Sequence, residues 1–520
     1  MRVSKRRKPA KIRTRADYGD TILNSHDRPI APQGQSTHHP AVSSGVRPEA
    51  GPSTAGAGLE RAAFLPYALG VNLVTVIGAG PAGCEAALQL ARRGVAVRLV
   101  EMRPGTMTPA HRTGDVAELV CSNSLKSDEP ANAHGLLKAE LREYGCFLLD
   151  CAERARVPGG KALVVDRERF SAEVASALAE AGITVERGEV RELPDGIVVL
   201  AAGPLISDAL ADSLARALGA ERLFFFDAIA PVVSAESVDR AVAFPGSRYG
   251  AGADYLNCPL SEAEYRRFVD ELVRAETAPV RDFEPARLFE GCLPVEELAR
   301  RGPETLAYGP LKPVGLRSPA YAVVQLRQEN AGGTMFNLVG FQTRLRHGEQ
   351  RRVFRLIPGL ARAEFLRYGA MHRNSYLDAP RVLGPTLAAR ARPGLFVAGQ
   401  LTGVEGYVES IGAGLVAGVN AARLGRGQEP RAWPEETMLG GLLRYVATGP
   451  GDTRFQPMNA NFGLLPPALC AGKQDDTVFS PTPGPGLPRQ KPRARTKKHQ
   501  RRELMVERAL AAAREWAARQ

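Results

Sequence analysis

The feature that most constrains this chain is a short apolar run that ends in three spaced glycines. Val71–Ile77 is continuous, apolar and rich in β-branched residues, which is typical of a buried parallel strand. Pro81–Arg93 follows with helical spacing and stops at Gly94, and Val95–Val100 is a second buried strand. Strand, helix and strand in this order form a βαβ unit. The sequence therefore predicts an α/β fold built on a parallel sheet.

The turn of this unit has the spacing of a dinucleotide-binding loop. Gly78 permits the tight turn, Gly80 lets the backbone approach a pyrophosphate, and Gly83 lets the helix pack on the strand. The helix N-terminus offers free N–H groups to the phosphates. Glu101 ends the second strand, 18 residues after Gly83, where a carboxylate binds a ribose hydroxyl. The predicted binding residues are Gly78, Ala79, Gly80, Pro81, Ala82, Gly83 and Glu101. The alternative is a glycine-rich turn in an unrelated α/β unit.

A late segment bears on which dinucleotide is bound. Leu395–Ala398 is a buried strand, residues 399–406 form a loop, and Ser410–Leu424 is a helix rich in small residues. Two-part FAD-binding folds return such a strand and helix beside the first βαβ unit, with the helix N-terminus near the flavin pyrimidine. We therefore expect FAD, with further binding residues at Gly399, Gln400, Gly403 and Ser410. The alternative is a helix whose glycines serve packing alone.

The excess positive charge lies at the two ends of the chain. Of the net charge of +12, residues 1–70 carry +6 and residues 471–520 carry +7, which leaves the middle at −1. Binding of nucleic acid by the folded body therefore needs a local patch. No apolar run reaches the roughly 18 residues of a membrane helix, and no secretory signal is expected. The seven cysteines are widely spaced without a CxxC pair, which favours a reduced, cytoplasmic protein and no zinc site.

These patterns predict a two-part Rossmann-like FAD-binding fold with an inserted α+β domain. The alternating runs Tyr321–Arg327 and Met335–Phe341 predict a hairpin. The first 70 residues hold seven prolines and seven glycines without apolar periodicity, which predicts disorder. The predicted segments are a disordered extension (1–70), the first part of the FAD-binding domain (71–222), the insertion (223–329), the second part (330–470), a basic Pro/Gly-rich linker (471–503) and a terminal helix (504–520).

Several motifs together resemble one family, the folate- and FAD-dependent tRNA (uracil-5-)-methyltransferases. The resemblance covers about residues 71–465, and only its glycine loop is generic. The motifs that carry it are Val76–Gly83, Ala117–Leu125, Tyr255–Pro259, Glu290–Pro294, Gly309–Gly315, Tyr321–Gln328, Met371–Asn374, Gly399–Ser410 and Phe455–Gly463. The first 70 residues have no counterpart, and the Pro/Gly segment after Cys470 looks inserted.

The resemblance implies a reaction and its reactants. Such enzymes methylate C5 of the T-loop uridine of tRNA (position 54). The carbon comes from 5,10-methylenetetrahydrofolate and the electrons from reduced FAD, which NAD(P)H replenishes. The folate site, the choice between NADH and NADPH, and the oligomeric state stay open.

Two cysteines are the candidate catalytic residues. C5 of uracil is a poor nucleophile, and addition of a thiolate to C6 makes it reactive, after which a base must remove the C5 proton. The resemblance implies that Cys121 is the nucleophile and that Cys292 is the second active-site cysteine, either the base or the nucleophile itself. We expect Cys84, Cys146, Cys151 and Cys470 to be small buried residues, and we assign no chemistry to Cys258. Weaker candidates are His111, Arg112, Lys312, His372 and Arg373.

Three other functions remain as alternatives. One is a different FAD-dependent enzyme that modifies tRNA uridines, which would lack the motifs around Cys121 and Cys292. The second is a non-catalytic RNA-binding flavoprotein that uses its basic ends. The third is an ordinary flavin oxidoreductase that needs no folate.

Overall fold

The computed structural model describes residues 73–220, 222–250, 252–279, 293–316, 318–451, 454–467 and 497–519. The predicted extension 1–70 and most of the predicted linker 471–503 lie outside these residues. In the described part the strands are β1 (Leu73–Ile77), β2 (Ala96–Glu101), β3 (Ser124–Ser127), β4 (Arg156–Val157), β5 (Ala162–Val165), β6 (Val185–Arg187), β7 (Ile197–Leu200), β8 (Arg222–Ala228), β9 (Val232–Ser234), β10 (Phe244–Pro245), β11 (Tyr255–Leu260), β12 (Ala322–Gln328), β13 (Met335–Leu338), β14 (Phe365–Arg367), β15 (Met371–Leu377) and β16 (Leu395–Val397). The helices are α1 (Pro81–Arg92), α2 (Ala133–Glu143), α3 (Phe147–Arg154), α4 (Arg167–Glu180), α5 (Asp208–Leu218), α6 (Glu262–Arg274), α7 (Val295–Arg300), α8 (Thr305–Tyr308), α9 (His347–Phe354), α10 (Ala379–Val382), α11 (Tyr407–Gly425), α12 (Met438–Thr448) and α13 (Lys497–Ala518).

A five-stranded parallel sheet carries the glycine loop. Its strand order is β16-β7-β1-β2-β6, and β1 pairs with β2 on one side and β7 on the other. Residues 74–77 of β1 are buried, as expected for a strand covered by helices on both faces. The late strand β16 returns to pair with β7. The predicted βαβ unit and the two-part organisation of the fold are therefore confirmed.

A six-stranded sheet forms the inserted unit, with its own core around Tyr265, Phe268 and Phe341. Its order is β10-β11-β12-β13-β9-β14, and its pairs are antiparallel. The predicted hairpin is β12–β13, in which Leu326 lies opposite Leu338. The sequence places the end of the insertion at residue 329, but that cut would separate the two strands of this hairpin. By strand pairing, the inserted unit continues through β14 to Arg367.

The chain enters and leaves the inserted unit through one antiparallel pair. β8 leads in, β15 leads out, and Met371 lies opposite Ala228 at the end nearer the unit. A smaller sheet, β3-β5-β4, follows the loop that contains Cys121. Because Cys121 Sγ lies 3.8 Å from the Ala228 carbonyl oxygen, this loop lies where the chain enters the inserted unit.

The basic C-terminal segment includes a helix that packs on the body. α13 buries Met505, Ala509 and Ala513, and the Trp516 ring lies 5.4 Å from the Trp433 ring between centroids. The helix begins at Lys497, before the predicted start at Leu504. Among the described residues, no helix is both long enough and apolar enough to cross a membrane.

Candidate active site

The three glycines of the first turn are required for different reasons. Gly78 has φ +98°, and a Cβ there would lie 2.5 Å from the Ala201 carbonyl oxygen. A Cβ at Gly83 would lie 1.8 Å from the Gly78 carbonyl oxygen. Gly80 has φ −72°, and a Cβ there would meet no atom within 4 Å. The protein itself thus demands glycine at 78 and 83, whereas at Gly80 it leaves open space in front of the N-terminus of α1.

Helix α11 packs against α1 through small residues. A Cβ at Gly414 would lie 2.1 Å from the Ala82 carbonyl oxygen, and one at Gly418 would lie 2.6 Å from that of Ala86. No larger residue fits where the two backbones approach so closely. The close packing expected of the late helix is therefore present, and it brings the N-terminus of α11 to the glycine loop.

A large cavity opens at the carboxyl ends of β1, β2, β7 and β16, with an empty volume of about 1680 Å3 that includes open solvent. This edge is where open parallel sheets bind ligands. Most of the predicted site residues line the cavity, namely Gly78, Gly80, Pro81, Ala82, Glu101, Cys121, Gly399, Gln400 and Ser410. The structure therefore brings the glycine loop, the late loop and the candidate nucleophile to one place.

Three predicted binding residues do not line this cavity. Ala79 is buried, and its N–H donates to Glu101 Oε2 at 2.7 Å, so it is not offered to a phosphate. Gly83 lies inside α1 against the turn. Gly403 has φ +86°, and a Cβ there would lie 2.5 Å from the Phe455 ring. These three residues shape the backbone behind the cavity.

Glu101 is held in a network of hydrogen bonds. Its Oε1 accepts from the Arg103 N–H at 3.0 Å and from Arg103 Nε at 2.9 Å, and Arg103 Nη1 reaches Glu118 Oε2 at 3.0 Å. Burial alone would raise the pKa of Glu101, but the bonds from Arg103 and Ala79 outweigh it and hold this pKa below its usual value. Each carboxylate oxygen has two lone pairs, so Oε2 can still accept from a ribose hydroxyl.

The cavity fits a dinucleotide by its own geometry. The space over Gly80 admits a pyrophosphate that a side chain would exclude, and the first turn of α1 supplies its N–H groups. Glu101 lies at the end of β2, where the adjacent ribose would bind. The N-terminus of α11 would face the ring system at the other end.

Cys121 lies on the loop before β3 and is half-buried in the cavity wall. Its backbone N–H donates to the Tyr407 hydroxyl at 2.8 Å, and its Sγ lies 3.8 Å from the Ala228 carbonyl oxygen. Burial, reinforced by the nearby Asp227 carboxylate, raises the pKa of the Cys121 thiol to about 12. The thiol is therefore protonated at neutral pH in the protein alone.

Two carboxyl groups share the cavity with Cys121. Glu405 and Asp227 both line it, and Glu405 Oε2 accepts from Gln400 Nε2 at 2.9 Å. Burial and the charge of Asp227 raise the pKa of Glu405 to about 8. Glu405 can thus hold or release a proton near neutral pH, which is the property of a general acid or base.

Of the weaker candidates, only the two histidines line the cavity. His111 Nδ1 bonds Thr108 Oγ1 at 2.6 Å, and burial together with the charge of Arg103 lowers the pKa of His111 to about 4. Burial also lowers the pKa of His372, so both imidazoles are neutral at pH 7. Arg112, Lys312 and Arg373 are absent from the cavity lining, and the Arg373 guanidinium stacks 3.5 Å from the Phe224 ring centre.

The other cysteines divide between the core and the part that is not described. Cys84, Cys146, Cys151 and Cys258 are buried free thiols, and for the first three this is the expected role. Cys292 and Cys470 lie outside the described residues, so the predicted second active-site cysteine stays a prediction. Among the described residues, no group of three or more His, Cys, Asp or Glu side chains could hold a metal ion.

Sequence reasoning missed several residues around Cys121. Glu405 and Tyr407 lie in the motif Gly399–Ser410, which also contains the predicted binding residue Gln400. Their place in this motif is a sequence signal that could have identified them as site residues. Asp227 and Arg367 belong to none of the motifs. They come near Cys121 only because distant strands pair in the fold. Such residues can be found only from the tertiary structure.

Known proteins resemble this chain in sequence over about three quarters of its length. Residues 73–429 match the family model described as glucose inhibited division protein A. A protein of Moorella thermoacetica is 59% identical over 402 residues, which cover 76% of this chain and 92% of the relative. A protein of Desulforudis audaxviator is 58% identical over 402 residues, covering 76% of this chain and 91% of the relative. Both are named methylenetetrahydrofolate–tRNA-(uracil-5-)-methyltransferase TrmFO. The chain belongs to this family.

Solved structures support the fold of this family member. The GidA protein of Aquifex aeolicus, in its form I crystal, superposes with a TM-score of 0.60 at 17% identity. The match covers 85% of this chain and 76% of that one. At this identity the likeness shows the fold alone, and it agrees with the parallel sheet and the inserted unit described above.

Proposed function

We propose that this protein transfers a one-carbon unit from 5,10-methylenetetrahydrofolate to C5 of the T-loop uridine of tRNA, forming 5-methyluridine. The proposal includes bound FAD as the reductant that completes the methyl group, NAD(P)H as the source of its electrons, and action in the cytoplasm. The observation that carries it is the position of Cys121, a cavity-lining thiol beside the glycine loop. Membership of the methyltransferase family supports the choice of donor and acceptor.

The residues of the cavity suit the steps of this reaction. Addition of the Cys121 sulfur to C6 of uracil moves the C5–C6 π electrons toward O4 and makes C5 nucleophilic. The N-terminus of α11 and the Lys126 ammonium, which also lines the cavity, can stabilise the resulting negative charge. FAD, when bound in its reduced form, would supply the two electrons that reduce the transferred carbon to a methyl group.

Proton transfer is the second requirement. Ionisation of Cys121 needs a proton acceptor, and the C5 proton must leave after the carbon is attached. Glu405 lines the same cavity and titrates near pH 8, so it suits either transfer. We assign the C5 proton to Cys292 or Glu405, because the family resemblance favours the first and the cavity lining supports the second.

The test uses tRNA in which 5-fluorouridine replaces uridine. C5 then has no proton to lose, so attack on C6 should leave a covalent protein–RNA adduct in the presence of methylenetetrahydrofolate and reduced FAD. Wild-type protein should form the adduct, and Cys121→Ala should form none while keeping its FAD. Cys292→Ala should lose methylation of ordinary tRNA but still form the adduct if its role is the base.

The control is Cys151→Ala, a buried cysteine on α3 that does not line the cavity. It should methylate and form adduct like the wild type. An adduct that persists in Cys121→Ala and disappears in Cys292→Ala would exchange the two roles. Full methylation by both variants would remove cysteine addition from the mechanism, and flavin turnover without folate would favour an oxidoreductase.

A further inference from the structure

Two arginines from different units bind the backbone of the loop that carries Cys121. Arg167, on α4, donates through Nη1 to the Leu119 carbonyl oxygen and through Nη2 to that of Cys121, the latter at 3.3 Å. Arg367, at the end of β14 in the inserted unit, donates through Nη2 to the Val120 carbonyl oxygen. Three successive carbonyl groups of the loop are thus held by guanidinium groups.

A third arginine continues this arrangement beyond the cysteine. Arg327, on β12, donates from Nη2 to Ser122 Oγ at 2.8 Å and from Nε to Asn123 Oδ1 at 3.0 Å. Asn123 is fully buried and donates in turn to backbone carbonyl groups at residues 165 and 328. The loop is therefore anchored on both sides of Cys121 by charged groups.

The three arginines differ in how their charge is balanced. Arg167 pairs with Glu329 at 2.7 Å, which neutralises much of its charge. Arg367 is half-buried, and among the described residues no carboxylate lies within ion-pair distance of it. A guanidinium has five N–H donors, and one donor of Arg367 forms the hydrogen bond to the Val120 carbonyl oxygen. Arg327 likewise has no carboxylate within ion-pair distance among the described residues, but it is buried and bonds Ser122, Asn123 and Asn337.

Charged groups of both signs from four parts of the chain lie near Cys121. The acidic groups are Asp227 on β8 and Glu405 in the loop after β16, and both oppose ionisation of the thiol. Arg167 and Arg367 favour ionisation, while Arg327 and the Tyr407 hydroxyl complete the shell. Removal of Arg167 would leave Glu329 without its ion-pair partner, and removal of Arg327 would leave the buried Asn123 without its donor. Removal of Arg367 costs the hydrogen bond to Val120, so Arg367 is the cation whose charge can be tested with the least disturbance.

We propose that Arg367 is a positioning residue for Cys121, which fixes the loop through Val120 and supplies the positive charge under which the thiol gives up its proton. It follows that the inserted unit acts on the reacting sulfur from a distant strand. The proposal rests on the proposed function, in which Cys121 is the nucleophile, but it concerns a property of the thiol that can be measured without RNA.

The test measures alkylation of Cys121 by iodoacetamide in the intact FAD-loaded protein between about pH 7 and 10, because only the thiolate reacts. Peptide mass spectrometry reports the rate at Cys121 alone. Arg367→Gln removes the charge and should slow alkylation about three- to tenfold at each pH, in line with the effect of a nearby cation on a thiol. Arg367→Lys keeps the charge and should stay within about threefold of wild type.

The matched control is Arg355→Gln. Arg355 is an exposed arginine of the inserted unit that, like Arg367, donates to a backbone carbonyl oxygen, that of Ala363 at 2.8 Å. It should leave alkylation of Cys121 unchanged. Circular dichroism and flavin content establish that each variant is folded.

The alkylation rates distinguish loss of the Arg367 charge from a general loosening of the loop that carries Cys121. Faster alkylation in Arg367→Gln would mean that the loop has only opened, and an unchanged rate would mean that Arg367 does not act on the thiol. Either result overturns the proposal, as does an Arg367→Lys variant as slow as Arg367→Gln. If Arg367→Gln does not fold, Arg367→Lys decides alone, and an alkylation rate that differs from wild type by more than about threefold refutes the proposal.

Methylation of tRNA is measured on the same samples. If wild type does not methylate tRNA but the alkylation rates follow the expected order, the proposed function fails and the role of Arg367 stands. If wild type methylates and Arg367→Gln alkylates like wild type, only the role of Arg367 fails.

Discussion

Gly80→Ala separates what the protein needs at this position from what a ligand needs. The backbone of Gly80 is at φ −72° and ψ −179°, which any residue adopts, and the added methyl group meets no atom within 4 Å. The substitution should therefore leave the apo fold intact. Its stability should change by less than about 1 kcal/mol, because the smaller freedom of alanine in the unfolded chain is offset by its poorer fit at the N-cap of α1.

The same methyl group occupies the space proposed for the pyrophosphate. Displacing the phosphates from the N-terminus of α1 removes one or two hydrogen bonds to a charged group, each worth about 1.5 to 3 kcal/mol. The expected loss is about 3 kcal/mol, or roughly a hundredfold in FAD affinity. Apo stability should thus change little while cofactor affinity falls.

The assay combines urea unfolding of the apo protein with fluorescence titration of FAD. Gly348→Ala, at a glycine of α9 that also has open space around it, is the control and should bind FAD like wild type. Gly83→Ala is the contrasting variant, since its Cβ would lie 1.8 Å from a backbone oxygen, and it should unfold. Wild-type FAD affinity in a folded Gly80→Ala protein would refute the assignment of the site.

Three further predictions concern charge. Glu405→Gln removes a carboxylate near Cys121 that is ionised above about pH 8. Alkylation of Cys121 should therefore be faster than in wild type above this pH and equal to wild type well below it. A slower rate at high pH would contradict the prediction. The pKa of Glu409 is held at about 2 by Lys126 and His134 against the effect of burial, so it stabilises the fold above its unfolded pKa and loses that effect as the pH falls toward 2. Glu409→Gln should therefore cost roughly 2 to 3 kcal/mol at pH 7, and urea unfolding should show the difference shrink between about pH 5 and 2. Deletion of residues 1–70, which carry +6, should leave FAD binding and methylation intact while weakening salt-sensitive RNA affinity; a folded, FAD-loaded deletion variant that cannot methylate tRNA would contradict this.

The parallel sheet was predictable because its signals are local. The run before Gly78 and the glycine spacing specify strand, turn and helix within a few residues, and β1 and α1 follow almost to the residue. The boundary of the inserted unit was not predictable in the same way. The hairpin β12–β13 was visible, but its membership of the second sheet depends on the pairing of β13 with β9, about one hundred residues earlier.

In the candidate site, too, residues within local motifs were predictable, whereas contacts between distant parts of the chain were not. Cys121 and the cavity-lining glycines stand in motifs, so the sequence identified each of them as a candidate site residue. It could not show that Ala79 gives its N–H to Glu101, because that depends on how the β2 carboxylate turns back to the loop. Nor could it show that Arg367 reaches Val120, a contact between residues 247 positions apart.

The contact between α1 and α11 has a consequence for how the protein is made. The glycine loop lies near the start of the described chain, yet α11, whose Gly414 and Gly418 pack against α1, begins more than three hundred residues later. Because synthesis proceeds from the N-terminus, the βαβ unit leaves the ribosome long before α11 exists. The dinucleotide cavity is therefore completed only after α11 has emerged. A nascent chain that stops before α11 contains the glycine loop but lacks one side of the cavity. Binding of the cofactor therefore has to follow synthesis of the chain through α11.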